Sequence, residues 1–92
     1  MQQSSESDAT LVVALPATVD LHARPAGLLV REASRFGAAI AIVANGRRAS
    51  AKSILEVLAL GATGGTDLTL TASGADAADA LAGLGELIPR LA

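Results

Sequence analysis

One histidine in this 92-residue chain stands where its imidazole could do chemistry. His22 is followed by Arg24 and then by Pro25, a residue that suits the first turn of a helix. N–H groups at the start of a helix lack backbone acceptors and attract anions, and a guanidinium matches the oxygens of a phosphate. A neutral imidazole can attack phosphorus, so His22 is a candidate phosphoryl acceptor and Arg24 its stabilising cation. Taken alone, the motif is also compatible with an ordinary exposed histidine.

Basic residues are concentrated around this motif. Six of the seven Lys and Arg residues lie between positions 24 and 52, where Glu32 is the one acid, so this segment carries +5 and the rest of the chain −7. The spacing of Arg24, Arg31 and Arg35 places them on one helix face, which suits an acidic protein partner or is simply solvated. Since the chain has one aromatic residue, it cannot stack nucleic-acid bases, and we expect no nucleic-acid partner.

A second motif follows at Ser53, where Ser-Ile-Leu-Glu fits a capping box with Glu56 at its third helical position. The short helix that it predicts can direct Val57 and Leu60 into a core. A phosphate on Ser53 would interact favourably with the helix dipole. Three further apolar residues remain, and they predict an exposed protein interface unless a neighbouring loop covers them: Ile54, Leu55 and Leu58.

The elements that must position these motifs can be predicted from hydrophobic periodicity. The pattern indicates strands over 10–15, 38–44, 47–50 and 67–73, with helices over 25–36 and 54–60 and a last helix capped by Asp76. The sequence Asn45-Gly46 predicts a hairpin between the second and third strands. We therefore expect an α+β domain over 10–92, with helices on one face of an antiparallel or mixed sheet, preceded by a polar tail over 1–9.

Composition excludes several classes of protein. The chain has no Cys and one His, so we expect no disulfide framework, no metal centre and no cofactor. The N-terminus has neither a basic segment nor an apolar run, and no stretch is long enough to cross a membrane, so we expect no membrane partner. A soluble, cytoplasmic monomer is the expectation.

The two motifs together resemble a known family. Residues 21–26, Leu-His-Ala-Arg-Pro-Ala, are similar to the active-site segment of the histidine-containing phosphocarrier (HPr) family of the bacterial phosphotransferase system. Residues 45–54 resemble the hairpin and regulatory-serine segment of the same family, at the matching distance from His22. The resemblance covers roughly residues 10–92. It implies an open-faced β-sandwich in which three helices cover one face of a four-stranded antiparallel sheet.

By this resemblance, His22 accepts a phosphoryl group at Nδ1 from phospho-Enzyme I and donates it to IIA domains of sugar permeases, while Arg24 assists the phosphate. Ser53 matches the position that HPr kinase/phosphorylase modifies. From the residues themselves, we expect Arg31 to bind partners together with the apolar patch of Ile54, Leu55 and Leu58. Asp20 and Glu56 depart from the family pattern. The alternatives are a related module of a nitrogen-related or dihydroxyacetone-kinase phosphorelay, or a non-phosphorylated regulatory module that acts through the patch.

Overall fold

The computed structural model describes residues 8–92 and contains the predicted order of elements. The strands are β1 (Asp8–Ala14), β2 (Ala39–Ala44), β3 (Arg47–Ser50) and β4 (Asp67–Ser73). The helices are α1 (Ala23–Ala33), α2 (Ile54–Ala59) and α3 (Ala77–Leu87), and a 3₁₀ turn follows at Ile88–Leu91. Most of the predicted polar tail, residues 1–7, lies outside the described residues. Its last two residues belong to β1, because the pairing with β4 begins at Asp8 opposite Ser73.

The four strands form one antiparallel sheet in the order β1-β4-β2-β3. The purely antiparallel alternative is therefore the correct one. Asn45 and Gly46 both have positive φ, at 54° and 73°, which is the backbone that a two-residue type I′ hairpin turn requires. The predicted hairpin between β2 and β3 is confirmed by the pairing of Ala44 with Arg47.

The hydrophobic core lies between the sheet and the three helices. The alternation along strand β4 distinguishes the two faces of the sheet. Leu68, Leu70 and Ala72 are buried against the helices, while the alternate threonines are half-buried on the open face. Helix α1 contributes a stripe of buried apolar residues, as do α3 and the turn after it: Ala26, Leu29, Ala33, Ala77, Ala80, Leu81, Leu84 and Ile88. The open-faced α+β architecture predicted from the sequence is confirmed.

Two predicted features of the helix ends are wrong in detail. Helix α1 ends at Ala33 and not near Gly37. Asp76 makes no side-chain cap on α3, because its carboxylate instead accepts hydrogen bonds from the Gly37 and Ala38 N–H groups at 2.9 and 2.8 Å. Its oxygens thus join the start of α3 to the segment that leads into β2.

The capping box at α2 is half formed. The Ser53 hydroxyl accepts from the Glu56 N–H at 3.3 Å, as predicted. The Glu56 carboxylate does not return to Ser53, since it accepts from the Ser50 N–H at 2.8 Å and so ties α2 to β3. Within residues 8–92, no helix combines the length and apolar character needed to span a bilayer.

Candidate functional site

His22 occupies the N-cap position of α1, with an extended backbone (φ −98°, ψ −163°) and an exposed side chain that makes no cap hydrogen bond. The residues on both sides are anchored, because Leu21 is 3% exposed and Pro25 is buried. The His22 N–H donates to the Asp20 carbonyl at 2.9 Å, and the Leu21 N–H donates to the Ala62 carbonyl at 2.9 Å. The imidazole is therefore presented to solvent from a backbone that packing and hydrogen bonds hold in place.

Two shallow clefts meet at His22. One, of about 240 Å³, is lined by His22, Leu58 and the segment from Gly61 to Thr63. The other, of about 190 Å³, is lined by His22, Arg24 and the 3₁₀-turn residue Leu91. Both clefts are too shallow to enclose a small molecule. The imidazole is therefore accessible to a group carried on the surface of another protein.

Arg24 lies in the first turn of α1, where it shares a cleft with His22 and is exposed. The first helical residues have no preceding turn to accept their N–H groups, so Ala23 and Arg24 keep donors that point out of the helix start. Pro25 removes a donor that would have been unpaired in the same turn. Backbone donors and the guanidinium together provide partners for the oxygens of a phosphate beside His22.

The structure divides the basic segment into two groups. Three cations are engaged locally: Arg35 pairs with Glu32 at 2.9 Å, Arg47 donates to the Ala59 carbonyl at 3.0 Å, and Lys52 donates to the Phe36 carbonyl at 2.6 Å. Between residues 8 and 92, no such side-chain hydrogen bond is formed by Arg24, Arg31 or Arg48. The face predicted from the spacing of Arg24, Arg31 and Arg35 thus keeps Arg24 and Arg31 available, while the charge of Arg35 is offset by Glu32.

The α2 patch consists of Ile54, Leu55 and Leu58, and its members differ in exposure. Leu55 is 76% exposed and Ile54 39%, whereas Leu58 is half-buried against the core. Val57 and Leu60 are buried, as the sequence predicted. Leu58 also lines a cleft with His22, so the patch and the imidazole belong to one continuous surface.

Ser53 is half-buried at the N-cap of α2, and its hydroxyl is engaged with the Glu56 N–H. Ser53 directly precedes Ile54, which is the first residue of α2 and a member of the α2 patch, so Ser53 lies next to the patch. A charge added to this hydroxyl would therefore lie at the edge of the surface that carries the exposed leucine.

Sequence reasoning missed the partner of Asp20. Its carboxylate accepts from the Gly64 N–H at 2.9 Å and does not cap α1. Only the position of this acid beside His22 hinted at a role, because the contact joins residues far apart in sequence. A further cleft, of about 600 Å³, lies on the open face of the sheet around Ala41, Arg48 and Thr71, and it shares no lining residue with the two clefts at His22.

These features define a class of protein. An exposed histidine at an anchored helix start, beside an arginine and an apolar patch on a small open-faced sandwich, is suited to passing a group between proteins. The description "PTS HPr component phosphorylation site" belongs to the family model that matches residues 9–90. The chain belongs to this HPr family, whose members are phosphocarrier proteins of the phosphotransferase system and not enzymes.

Individual relatives agree with this assignment. The phosphocarrier protein HPr of Mycoplasma capricolum subsp. capricolum is 46% identical over 63 residues, which are 68% of this chain and 71% of that protein. The crystal structure of HPr from Bacillus anthracis superposes with a TM-score of 0.83 at 36% identity, over 89% of this chain and 98% of that one. An HPr dimer from Thermoanaerobacter tengcongensis superposes with a TM-score of 0.72 at 34% identity, over 86% and 91% of the two chains.

Proposed function

We propose that His22 is the phosphoryl-carrying residue of this chain, loaded by phospho-Enzyme I and discharged to IIA-type domains of sugar permeases. The observation that carries the proposal is the exposed imidazole at the anchored start of α1, in one cleft with Arg24. His22 is the one histidine of the chain, so no second imidazole competes for the role. Residues 10–92 form the carrier domain in this proposal.

The transfer needs no cofactor. A neutral imidazole nitrogen of His22 attacks the phosphorus of the donor phosphohistidine, the new N–P bond forms as the old one breaks, and the donor nitrogen keeps its electron pair. Positioning and charge stabilisation supply most of the catalysis in such a step. Arg24 and the free N–H groups at the start of α1 stabilise the phosphoryl oxygens while they pass between the two nitrogens.

Partner proteins dock on the surface that surrounds His22. The exposed Leu55 and Ile54 provide its apolar centre, and Arg31 and Arg24 provide cations beside it. Such a surface fits a partner whose interface has an apolar centre with acidic groups at the rim. Because the surface is continuous with the imidazole through Leu58, docking brings the donor phosphohistidine to His22.

The test is phosphoryl uptake by the purified chain. Incubation with Enzyme I, labelled phosphoenolpyruvate and Mg²⁺ should give one phosphoryl group per chain, stable to base and labile to acid. The His22→Ala variant should take up no label and keep its thermal midpoint, since the side chain is exposed. Uptake by the variant at the wild-type rate would overturn the proposal.

Ser53 is proposed as a regulatory position, modified by a kinase of the HPr kinase/phosphorylase type. Its support is its place at the edge of the α2 patch and the resemblance of its segment to the family pattern. A phosphate there would repel acidic partners and slow the loading of His22. The fold should be retained, because the hydroxyl already serves as a helix cap.

The second candidate is a regulatory module that binds partners through the α2 patch without carrying phosphate. The 76% exposure of Leu55 favours it as much as it favours the carrier. A chain that binds Enzyme I but takes up no label would select this alternative. We propose a cytoplasmic monomer in either case. Because two structural neighbours are dimers, light scattering of the purified chain is the test.

A further inference from the structure

Asp20 connects the loop that carries His22 to the turn at 61–66. Its carboxylate accepts from the Gly64 N–H at 2.9 Å, and its carbonyl accepts from the His22 N–H at 2.9 Å. The same residue lines both clefts at His22. One acidic residue therefore holds the turn with its side chain, holds the His22 backbone with its carbonyl, and places a negative charge in the surroundings of the imidazole.

The backbones of the loop and the turn are in close contact. A Cβ added to Gly64 would fall on the carbonyl oxygen of Ala17, so the two backbones touch where Asp20 bridges them. Further hydrogen bonds join the same segments, from the Leu15 N–H to the Thr66 carbonyl and from the Leu21 N–H to the Ala62 carbonyl, both at 2.9 Å. In this setting the Asp20 carboxylate has a fixed acceptor role, and its charge stays at the clefts that His22 also lines.

We propose that Asp20 sets both the position of His22 and the phosphoryl-transfer potential of the carrier. This rests on the proposed function, in which His22 carries the phosphoryl group. As a positioning residue, Asp20 orients the helix start through Gly64. As a charge, it destabilises the phosphorylated form, because the phosphoryl oxygens bring further negative charge into the same clefts. Arg24, the cation in one of these clefts, acts in the opposite direction.

The consequence concerns the equilibrium of transfer. When phosphorus moves from the donor imidazole to His22, one N–P bond breaks and one forms, so the bond chemistry nearly cancels. Local charge then decides how far the reaction proceeds. An acid beside His22 makes the phosphorylated chain a better donor and the unphosphorylated chain a poorer acceptor. An exposed charge pair changes an equilibrium by about 1.4- to 5-fold, and the phosphoryl group carries up to two charges, so the expected change is roughly 2- to 30-fold.

Two substitutions separate the two effects. Asp20→Asn keeps an oxygen that can accept from the Gly64 N–H and removes the charge. Asp20→Ala removes both. The equilibrium is measured by mixing each chain with a fixed amount of phospho-Enzyme I and determining the phosphorylated fraction at neutral pH by ³¹P NMR or intact-protein mass spectrometry. Transfer reactions quenched at successive times give the rate of phosphoryl transfer. Amide chemical shifts over 61–66 report the contact with Gly64.

Asp20→Asn should shift the equilibrium roughly 2- to 30-fold toward the phosphorylated chain, with amide shifts at 61–66 close to wild type. The shift should shrink as salt is raised, because the charges are exposed. Asp20→Ala should show the same equilibrium shift together with changed amide shifts and slower transfer. An Asp20→Asn equilibrium equal to wild type overturns the charge effect, and an Asp20→Ala rate equal to that of Asp20→Asn overturns the positioning effect. A wild-type chain that takes up no label would instead overturn the proposed function.

Discussion

Truncating Leu55 tests whether the α2 patch is the docking surface. Leu55 is the second residue of a short helix and is 76% exposed, so its truncation to alanine removes surface and not core. We expect the thermal midpoint to change little, because alanine is also the better helix former. The apolar area should matter only when a partner covers it.

The magnitude follows from the exposed side chain. Burying a leucine fully is worth about 1.5–3 kcal/mol, and alanine retains part of this, so Leu55→Ala should weaken binding by about 1–2 kcal/mol. This corresponds to a roughly 5- to 30-fold higher dissociation constant for Enzyme I, measured by isothermal titration calorimetry. Leu55→Glu should weaken it further, because a charge would then be buried in the interface.

Val12 provides the matched control. It is 56% exposed on β1, where its register opposite Thr69 places it on the open face of the sheet, away from His22. Val12→Ala removes apolar surface of a similar kind and should leave the affinity for Enzyme I unchanged. Wild-type affinity in Leu55→Ala, or an equal loss in Val12→Ala, would refute the assignment of the docking surface to α2.

Three further predictions concern the loop, the arginine and the serine. Arg24→Ala should slow single-turnover transfer roughly 10- to 150-fold, the loss expected for a charge-assisted contact of about 1.5–3 kcal/mol, whereas Arg48→Ala on the open face should not. Ser53→Asp should slow the loading of His22 in a folded chain, while Ser53→Ala should lower stability by about 1 kcal/mol and leave the rate near wild type. Gly64→Ala should lower the thermal midpoint, because its Cβ meets the Ala17 carbonyl and costs about 1–3 kcal/mol, whereas Gly27→Ala, with open space around its Cβ, should stabilise α1 by about 0.5–1 kcal/mol. Unchanged transfer in Arg24→Ala, a loading rate at or above wild type in Ser53→Asp, or an unaltered midpoint in Gly64→Ala would each contradict the corresponding contact.

The parts of the fold that follow from local patterns could be predicted from the sequence. The Asn45-Gly46 turn, the alternation of Leu68 and Leu70 in β4, and the burial of Val57 and Leu60 all depend on neighbours within a few residues. The same holds for the presentation of His22, since Pro25 indicates where a helix can start. Such features need no knowledge of how distant segments meet.

The side-chain contacts that were mispredicted depend on distant segments. Asp76 and Glu56 have the residue types of helix caps, yet their carboxylates bind the N–H groups of Gly37, Ala38 and Ser50. A backbone N–H group just before a strand, or on the outer side of an edge strand, has no partner within the sheet. A carboxylate that the tertiary structure brings close can accept its hydrogen bond. The bridge from Asp20 to Gly64 was missed for the same reason, because 44 positions separate the two residues in sequence.

The central claim is that His22 carries the phosphoryl group, and NMR of its imidazole tests it most directly. The chain has one histidine, so selective ¹⁵N labelling of histidine yields one pair of ring nitrogens without any need for assignment. After reaction with Enzyme I and phosphoenolpyruvate, we predict that one ring nitrogen, Nδ1 by the family resemblance, shifts and couples to ³¹P, and that both effects disappear on acid treatment. A phosphorylated chain whose imidazole resonances are unchanged, with its phosphorus on another residue, would contradict the account.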